Sequence, residues 1–224
     1  MEISDVLSRL KKSDKAETPQ FLALVMTDEV VQAAVWQPGI DQAEIIATGT
    51  PVEWDGDTGT TSELVSAVDA TVSAATEGVA SDLTEIIFGV PTTWTDAKGL
   101  LGARRELIRN VCHELELKPL GFVVLSDSIL RYLKMQEGTP TTSLLVEVSE
   151  SEVIIILVRL GQIEGTQVVG RSDDIIADVE EGVSRLATND NLPSRIIVFN
   201  SMHNLQSRLH RLDQVWRWTM YNLP

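Results

Sequence analysis

The chain has 224 residues, 43% of them hydrophobic and 23% charged, an ordinary globular composition with length enough for one large domain or two lobes. Its formal net charge of -15 argues against a nucleic-acid partner, because displacing phosphate counterions requires a basic face. No run of 18 apolar residues occurs and the first twenty residues hold no signal-peptide core, so a soluble, cytoplasmic chain is expected; the lone cysteine, Cys112, makes no internal disulfide.

Residues 1–20 read as a flexible or partly helical leader in which Lys11, Lys12 and Lys15 stand among acids and hydroxyl residues. From Phe21 the pattern turns to short apolar runs divided by turn signals. FLALVM (21–26), VVQAAVW (30–36) and AEIIAT (43–48) predict three strands, separated by Thr27-Asp28-Glu29 and by Gln37-Pro38-Gly39. A polar loop follows over 49–60. Ser62 is read as the cap of a helix whose Leu64, Val65, Val68, Val72 and Ala75 share a face, and Gly78 is placed to end it. TEIIFGV (84–90) is a strand closed by Pro91. Residues 96–117 carry Leu100, Leu101, Leu107, Ile108, Val111 and Leu115 at helical intervals, which predicts one long helix burying Cys112 as a small hydrophobe. A strand over 121–125 and a helix over 128–135, capped by Ser126 or Asp127, lead to the break Glu137-Gly138-Thr139-Pro140.

After that break the series restarts. SLLVEV (143–148), EVIIILVRL (152–160) and QIEGTQVV (162–169) predict three strands; a helix over 172–186, a strand RIIVFN (195–200) and a helix from Met202 onward follow. Both blocks therefore read β-β-β-α-β-α, with one lobe over 21–138 and a second over 139–224. Phe21 falls opposite Ser143, Val31 opposite Val153 and Ile86 opposite Ile196. The runs IIF, LLV, VIIILV and IIVF are what strands covered on both faces require. Together these features predict a duplicated α/β fold, each half a mixed sheet carrying helices, with a cleft between the halves.

This order of elements, with GVPTTWTD followed by RRELIRNVCHELELKPLGFVVLSDSILRYL, resembles the actin-like ATPase superfamily and its ribonuclease-H-like lobes. The likeness is greatest to the DnaK-type chaperones and to the bacterial FtsA, MreB and PilM-like proteins, and it spans residues 21–212. Val90, Pro91, Trp94, Asp96, Arg104 and Arg105 form its first part; Val124, Ser126, Asp127 and Tyr132 form its second.

The resemblance implies a nucleotide cleft whose meander turns carry an Asp followed by Gly and a hydroxyl residue. Glycine lets backbone N–H groups approach phosphate, and the carboxylate holds a metal or orients water. The carboxylate candidates here are Asp28 and Glu147. Neither Thr27-Asp28-Glu29-Val30 nor Ser149-Glu150-Ser151-Glu152 contains a glycine, Lys or Arg, and the acids would repel a triphosphate unless metal ions or basic neighbours compensate. Phe199-Asn200-Ser201-Met202-His203 stands where the resemblance implies an adenosine-packing glycine pair. Gly170 is retained ahead of a helix that Ser172 is expected to cap, with Asp173 and Asp174 complementing its dipole.

The expectation is a degenerate cleft made of Thr27, Asp28, Ser149, Glu150, Ser151, Gly170, Asn200 and Ser201, holding no cofactor: a pseudo-ATPase. The alternative is a diverged ATPase or kinase that binds ATP and Mg2+ through Asp28 and Glu147. A third arrangement gathers Asp28, Glu147 and Glu150 around a divalent metal, as acidic clusters do in ribonuclease-H-like nucleases.

The PilM and FtsA likeness implies a scaffold that binds protein partners, or itself, at the inner face of a membrane as part of a pilus, secretion or division apparatus. Trp54, in the polar loop 49–60, is either a contact anchor or part of a loop that folds back on its own domain. Leu205, Leu209, Leu212, Val215, Trp216 and Trp218 fit a terminal amphipathic helix. Trp216 and Trp218 are candidate docking residues, and Leu223-Pro224 reads as a boundary before further sequence that would carry any anchor. His113, His203 and His210 read as isolated helical histidines.

Overall fold

The computed structural model describes residues 18–40, 42–56, 61–79, 82–149, 151–186, 192–200 and 217–222, with residues 200 and 217–222 described by their backbone alone. Most of the predicted leader, and the segment expected to form the helix after Met202, lie outside these residues. The chain forms two compact units that divide between Leu125 and Ser126.

In unit 1, β1 (Phe21–Met26), β2 (Val30–Pro38) and β3 (Ala43–Thr48) form the expected meander, and a two-residue strand, β4 (Val52–Glu53), pairs with β2. Helix α1 (Thr61–Thr76) follows and ends before Gly78, whose φ of 82° is the left-handed conformation that glycine adopts most readily. Strand β5 (Glu85–Val90) runs parallel to β1. A 3-10 turn (Thr92–Trp94) and a tight hairpin of β6 (Thr95–Asp96) and β7 (Gly99–Leu100) lead to α2 (Gly102–Glu114) and β8 (Lys118–Val124). The sheet order is β3-β2-β1-β5-β8. Leu22, Leu24, Met26, Phe88 and Val90 lie buried against Leu64, Val68, Leu107 and Val111 of the two helices.

Helix α3 (Leu125–Glu137) opens unit 2. Strands β9 (Ser143–Val148), β10 (Glu152–Arg159) and β11 (Gln162–Gly170), helix α4 (Ile175–Arg185), β12 (Arg195–Asn200) and β13 (Arg217–Asn222) follow. The sheet order is β11-β10-β9-β12-β13, the same as in unit 1 with the same strand directions. One face carries Leu144, Val146, Val153 and Ile155 against α4; the other carries Leu145, Ile154, Ile156 and Phe199 against Ile129, Leu130 and Leu133 of α3. The unbroken apolar runs of β9, β10 and β12 have this physical cause, since both faces of the sheet are covered.

Duplication extends to register. Met26 pairs with Val31 as Val148 pairs with Val153, and Leu22 pairs with Ile86 as Leu144 pairs with Ile196. The expected equivalences of Val31 with Val153 and of Ile86 with Ile196 therefore hold in the hydrogen-bonded ladders.

Several expectations are corrected. The long helix over 96–117 begins only at Gly102, because Gly99, at φ 107°, turns residues 95–100 into the β6–β7 hairpin. Ser126 and Asp127 lie inside α3 rather than capping it, and α3 packs on the second sheet, which moves the boundary between halves ahead of Gly138. Residues 217–222, expected to be helical, form a strand parallel to β12. They complete the second sheet as β8 completes the first.

Candidate functional site

The first meander turn is closed by its own hydroxyl. Thr27 donates its N–H to Val30 O at 3.0 Å, and its Oγ1 accepts from the N–H groups of Glu29 at 3.3 Å and Val30 at 3.1 Å. Three of the four turn amides are thus held inside the turn. The carbonyl side is covered by the loop after β3: Trp54 donates its backbone N–H to Glu29 O and its Nε1–H to Thr27 O, both at 2.9 Å. Gly56 follows at φ 71°, where an added Cβ would stand 2.4 Å from Asp28 O. This loop fits because position 56 has no side chain.

Asp28 is tied from the other direction. Trp94, 1% exposed in the 3-10 turn after β5, donates Nε1–H to Asp28 Oδ2 at 3.1 Å. Arg104 of α2 forms an ion pair with Asp28 through Nη2 and Oδ1, and its guanidinium carbon lies 4.5 Å from the centroid of the Trp94 ring. The β6–β7 hairpin brings the two together, since Leu101, the residue before α2, donates its N–H to Trp94 O at 2.9 Å. The sequence contains no base within this turn, yet the fold supplies one from 76 positions downstream (104 − 28).

The second turn repeats the arrangement. Ser149 donates its N–H to Glu152 O at 2.9 Å and its Oγ to the same carbonyl at 3.1 Å, while accepting from Glu152 N at 3.0 Å. Thr27 does the same with Val30, donating Oγ1 at 3.2 Å. An arginine again approaches from outside the turn: Arg171 Nη1 donates to Ser149 O at 2.7 Å, and its backbone N–H to Ser151 O at 2.8 Å. Thr27 and Ser149 are thus equivalent, 122 positions apart (149 − 27), and the same offset (147 − 25) places Val25 opposite Glu147. The two carboxylate candidates are not counterparts. Asp28 sits in a turn with 43% of its side chain exposed, whereas Glu147 is 4% exposed within β9.

The N-terminus of α4 is covered by its own acids. Asp174 is the cap, its Oδ1 accepting from Ile176 N at 3.1 Å and Ala177 N at 3.3 Å. Ser172, expected as the cap, instead donates Oγ to Asp178 Oδ1 at 2.7 Å and its N–H to Oδ2 at 2.8 Å. No atom lies within 4 Å of a Cβ built on Gly170, so nothing at that position requires glycine.

Of the other expected residues, Trp54 is 5% exposed in the core of unit 1, which fits the fold-back reading and leaves no ring surface for a partner. Trp218 lies in β13 opposite Ile196. Asn200 ends β12. Glu150, Ser201, Trp216, His203 and His210 lie outside the described residues. Cys112 is buried as expected, and burial pushes its thiol pKa up to about 11, which keeps it in the inert protonated form near neutrality. Among the described residues no three His, Cys, Asp or Glu side chains gather as a metal site, and no helix is long and apolar enough to cross a membrane.

No protein-family model matches the chain, and neither does any curated protein. Solved structures do. A Bacteroides thetaiotaomicron protein of unknown function, described as having an actin-like ATPase fold, matches at 8% identity and a TM-score of 0.56, covering 90% of each chain. The ethanolamine utilization protein EutJ of Carboxydothermus hydrogenoformans matches at 11% identity and a TM-score of 0.56, over 83% of this chain and 78% of its own. An exopolyphosphatase of Cytophaga hutchinsonii matches at 12% identity and a TM-score of 0.50, over 81% of this chain and 66% of its own.

Proposed function

We propose that this chain, which has the actin-like ATPase fold, uses it without nucleotide, as a pseudo-ATPase scaffold that binds protein partners. The observation that carries this reading is the closure of the Asp28 turn. A phosphate cradle needs backbone N–H groups aimed outward with no competing acceptor. Here those of Thr27, Glu29 and Val30 are held by Val30 O and Thr27 Oγ1, and the carboxylate that would hold a metal or orient water is held by Trp94 and Arg104. The Ser149 turn is closed by its own hydroxyl in the same way, and the N-terminus of α4 is capped by Asp174.

A role at a membrane-associated apparatus of the pilus, secretion or division kind follows from the PilM and FtsA resemblance. Flotation with host membranes checks it: association that survives high salt and is lost when membrane proteins are digested supports it, and no association removes it.

Nucleotide independence is tested by thermal melting with and without ATP and Mg2+. A ligand at 100 times its Kd stabilises by about 2.7 kcal/mol. The expected result is no shift at millimolar nucleotide. An upward shift that disappears in Asp28→Ala would replace this reading with that of a diverged ATPase or kinase.

A further inference from the structure

Among the described residues one edge of the unit 1 sheet ends in a strand whose pairing is broken only at a single bulge, at Ile46. Strand β3 ends the sheet, and among the described residues it pairs only with β2. Ile45 is 54% exposed and Ile46 42%, while Ile40, just ahead of the strand, is 94% exposed. The ladder passes from Val35–Ala47 to Trp36–Ile45, so Ile46 is the extra residue of the bulge; Ala47 packs on the core, while Ile45 and Ile46 stay exposed at the edge. Strand β4 pairs with Val30 and Val31, next to the stretch of β2 that holds β3, so β3 and β4 lie end to end along one rim. The opposite rim is guarded: β8 begins Lys118-Pro119, the residue types that block strand addition. Strand β3 contains neither Lys nor Pro.

Charge selects what could pair there. Between Ala16 and Ala97 the chain has no Lys or Arg and fourteen Asp and Glu, with Glu44 and Glu53 on the open rim. A second copy would bring the same acidic rim on a chain of net charge -15, and like charges directly across a strand pair are unfavourable. We propose that the β3–β4 rim takes an extended segment of a partner protein, alternating basic and apolar residues, added as a further strand. Backbone pairing to β3 supplies the affinity, Ile45 and Ile46 cover the apolar side chains, and the acidic rim sets the charge preference. The biological role of this surface rests on the partner-binding reading above; the test below uses no nucleotide, so an ATP-dependent melt would overturn that reading and leave this one standing.

The probe is a short fluorescent peptide of alternating Lys and Val, titrated into the full chain by anisotropy at physiological ionic strength, with amide shifts mapped in parallel by NMR. The expected result is saturable binding with shifts centred on residues 43–48. It should weaken at least about tenfold in Ile46→Lys and in the double variant Ile45→Lys/Ile46→Lys, since an inward or edge lysine opposes strand addition. Ile163→Lys on β11 of unit 2 should leave it unchanged. Amide mapping on the unmodified chain keeps the test valid if a variant misfolds. Equal binding of a peptide of the same charge interrupted by prolines, or of a Glu-Val peptide, would overturn the proposal. So would binding seen only after removal of residues 1–17, which would assign the rim to the chain's own leader, or a dimer that Ile46→Lys converts to monomer, which would assign it to a second copy.

Discussion

Replacing Asp28 separates a structural tie from a catalytic carboxylate by the sign of the stability change. In Asp28→Asn the amide oxygen can still accept from Trp94 Nε1, but the ion pair with Arg104 is gone. The two side chains are 43% and 21% exposed, so solvent screens the pair and its loss costs about 0.5–1 kcal/mol. For a chain of this length that is a fall of roughly 1–4 °C in Tm. Asp28→Ala also leaves the indole N–H without its acceptor, on a ring that is 1% exposed, adding about 1–3 kcal/mol. Differential scanning calorimetry on wild type, both Asp28 variants, Arg104→Met and the Asp28→Asn/Arg104→Met double variant closes a double-mutant cycle. The coupling should be favourable, within the 0.5–1 kcal/mol range, and should shrink in molar salt. A carboxylate kept for chemistry typically costs stability, so its removal would raise Tm. A higher Tm in Asp28→Asn, or zero coupling with Arg104, would refute the account of the Asp28 carboxylate as a structural tie to Trp94 and Arg104.

Two further outcomes follow from unit 2. Arg195 grips Glu137 with Nη1–Oε2 at 2.9 Å and Nη2–Oε1 at 2.6 Å, and this hydrogen-bonded fork holds the carboxyl below its ordinary value of 4.5. A carboxyl depressed in the folded state contributes stability above its unfolded value and loses it as pH falls through the folded one. The Tm gap between wild type and Glu137→Gln should therefore be present near neutrality and close below pH 4.5; a gap constant across that range would count against the fork as its source. Gly182 of α4 faces Ile155, whose Cδ1 would lie 2.1 Å from an added Cβ, so Gly182→Ala should destabilise by about 1–3 kcal/mol despite its better helix propensity. Urea denaturation measures this, and a variant as stable as wild type would show that Ile155 repacks freely.

The strands of six residues or more, β13 apart, were legible because each is a short apolar run bounded by turn residues, and duplication was legible because two such series restart in the same order. The failures have local causes. Leu100 and Leu101 share helical spacing with Leu107, so periodicity absorbed a hairpin that only Asp96, Lys98 and Gly99 betray. Residues 217–222 were swept into a helical pattern carried forward from Leu205. Their Trp, Thr and Tyr content, and the need for a fifth strand to match β8, pointed to a strand. The tie on Asp28 was least legible. Trp94 and Arg104 stood out only as parts of a familiar segment, and nothing in linear spacing links position 28 to 94 or 104, because that contact depends on how β5 and α2 are placed beside β1.

Gly56 ties the first turn to the loop that covers it. Placing a glycine inside the first turn would leave Thr27 Oγ1 on its amides, Trp54 on two of its carbonyls and Gly56 pressed against the third. Opening the turn would take change in the turn itself, in the loop that covers it and in Arg104. Substitutions in the turn, in the loop and at Arg104 are therefore coupled, and their effects on stability should not add.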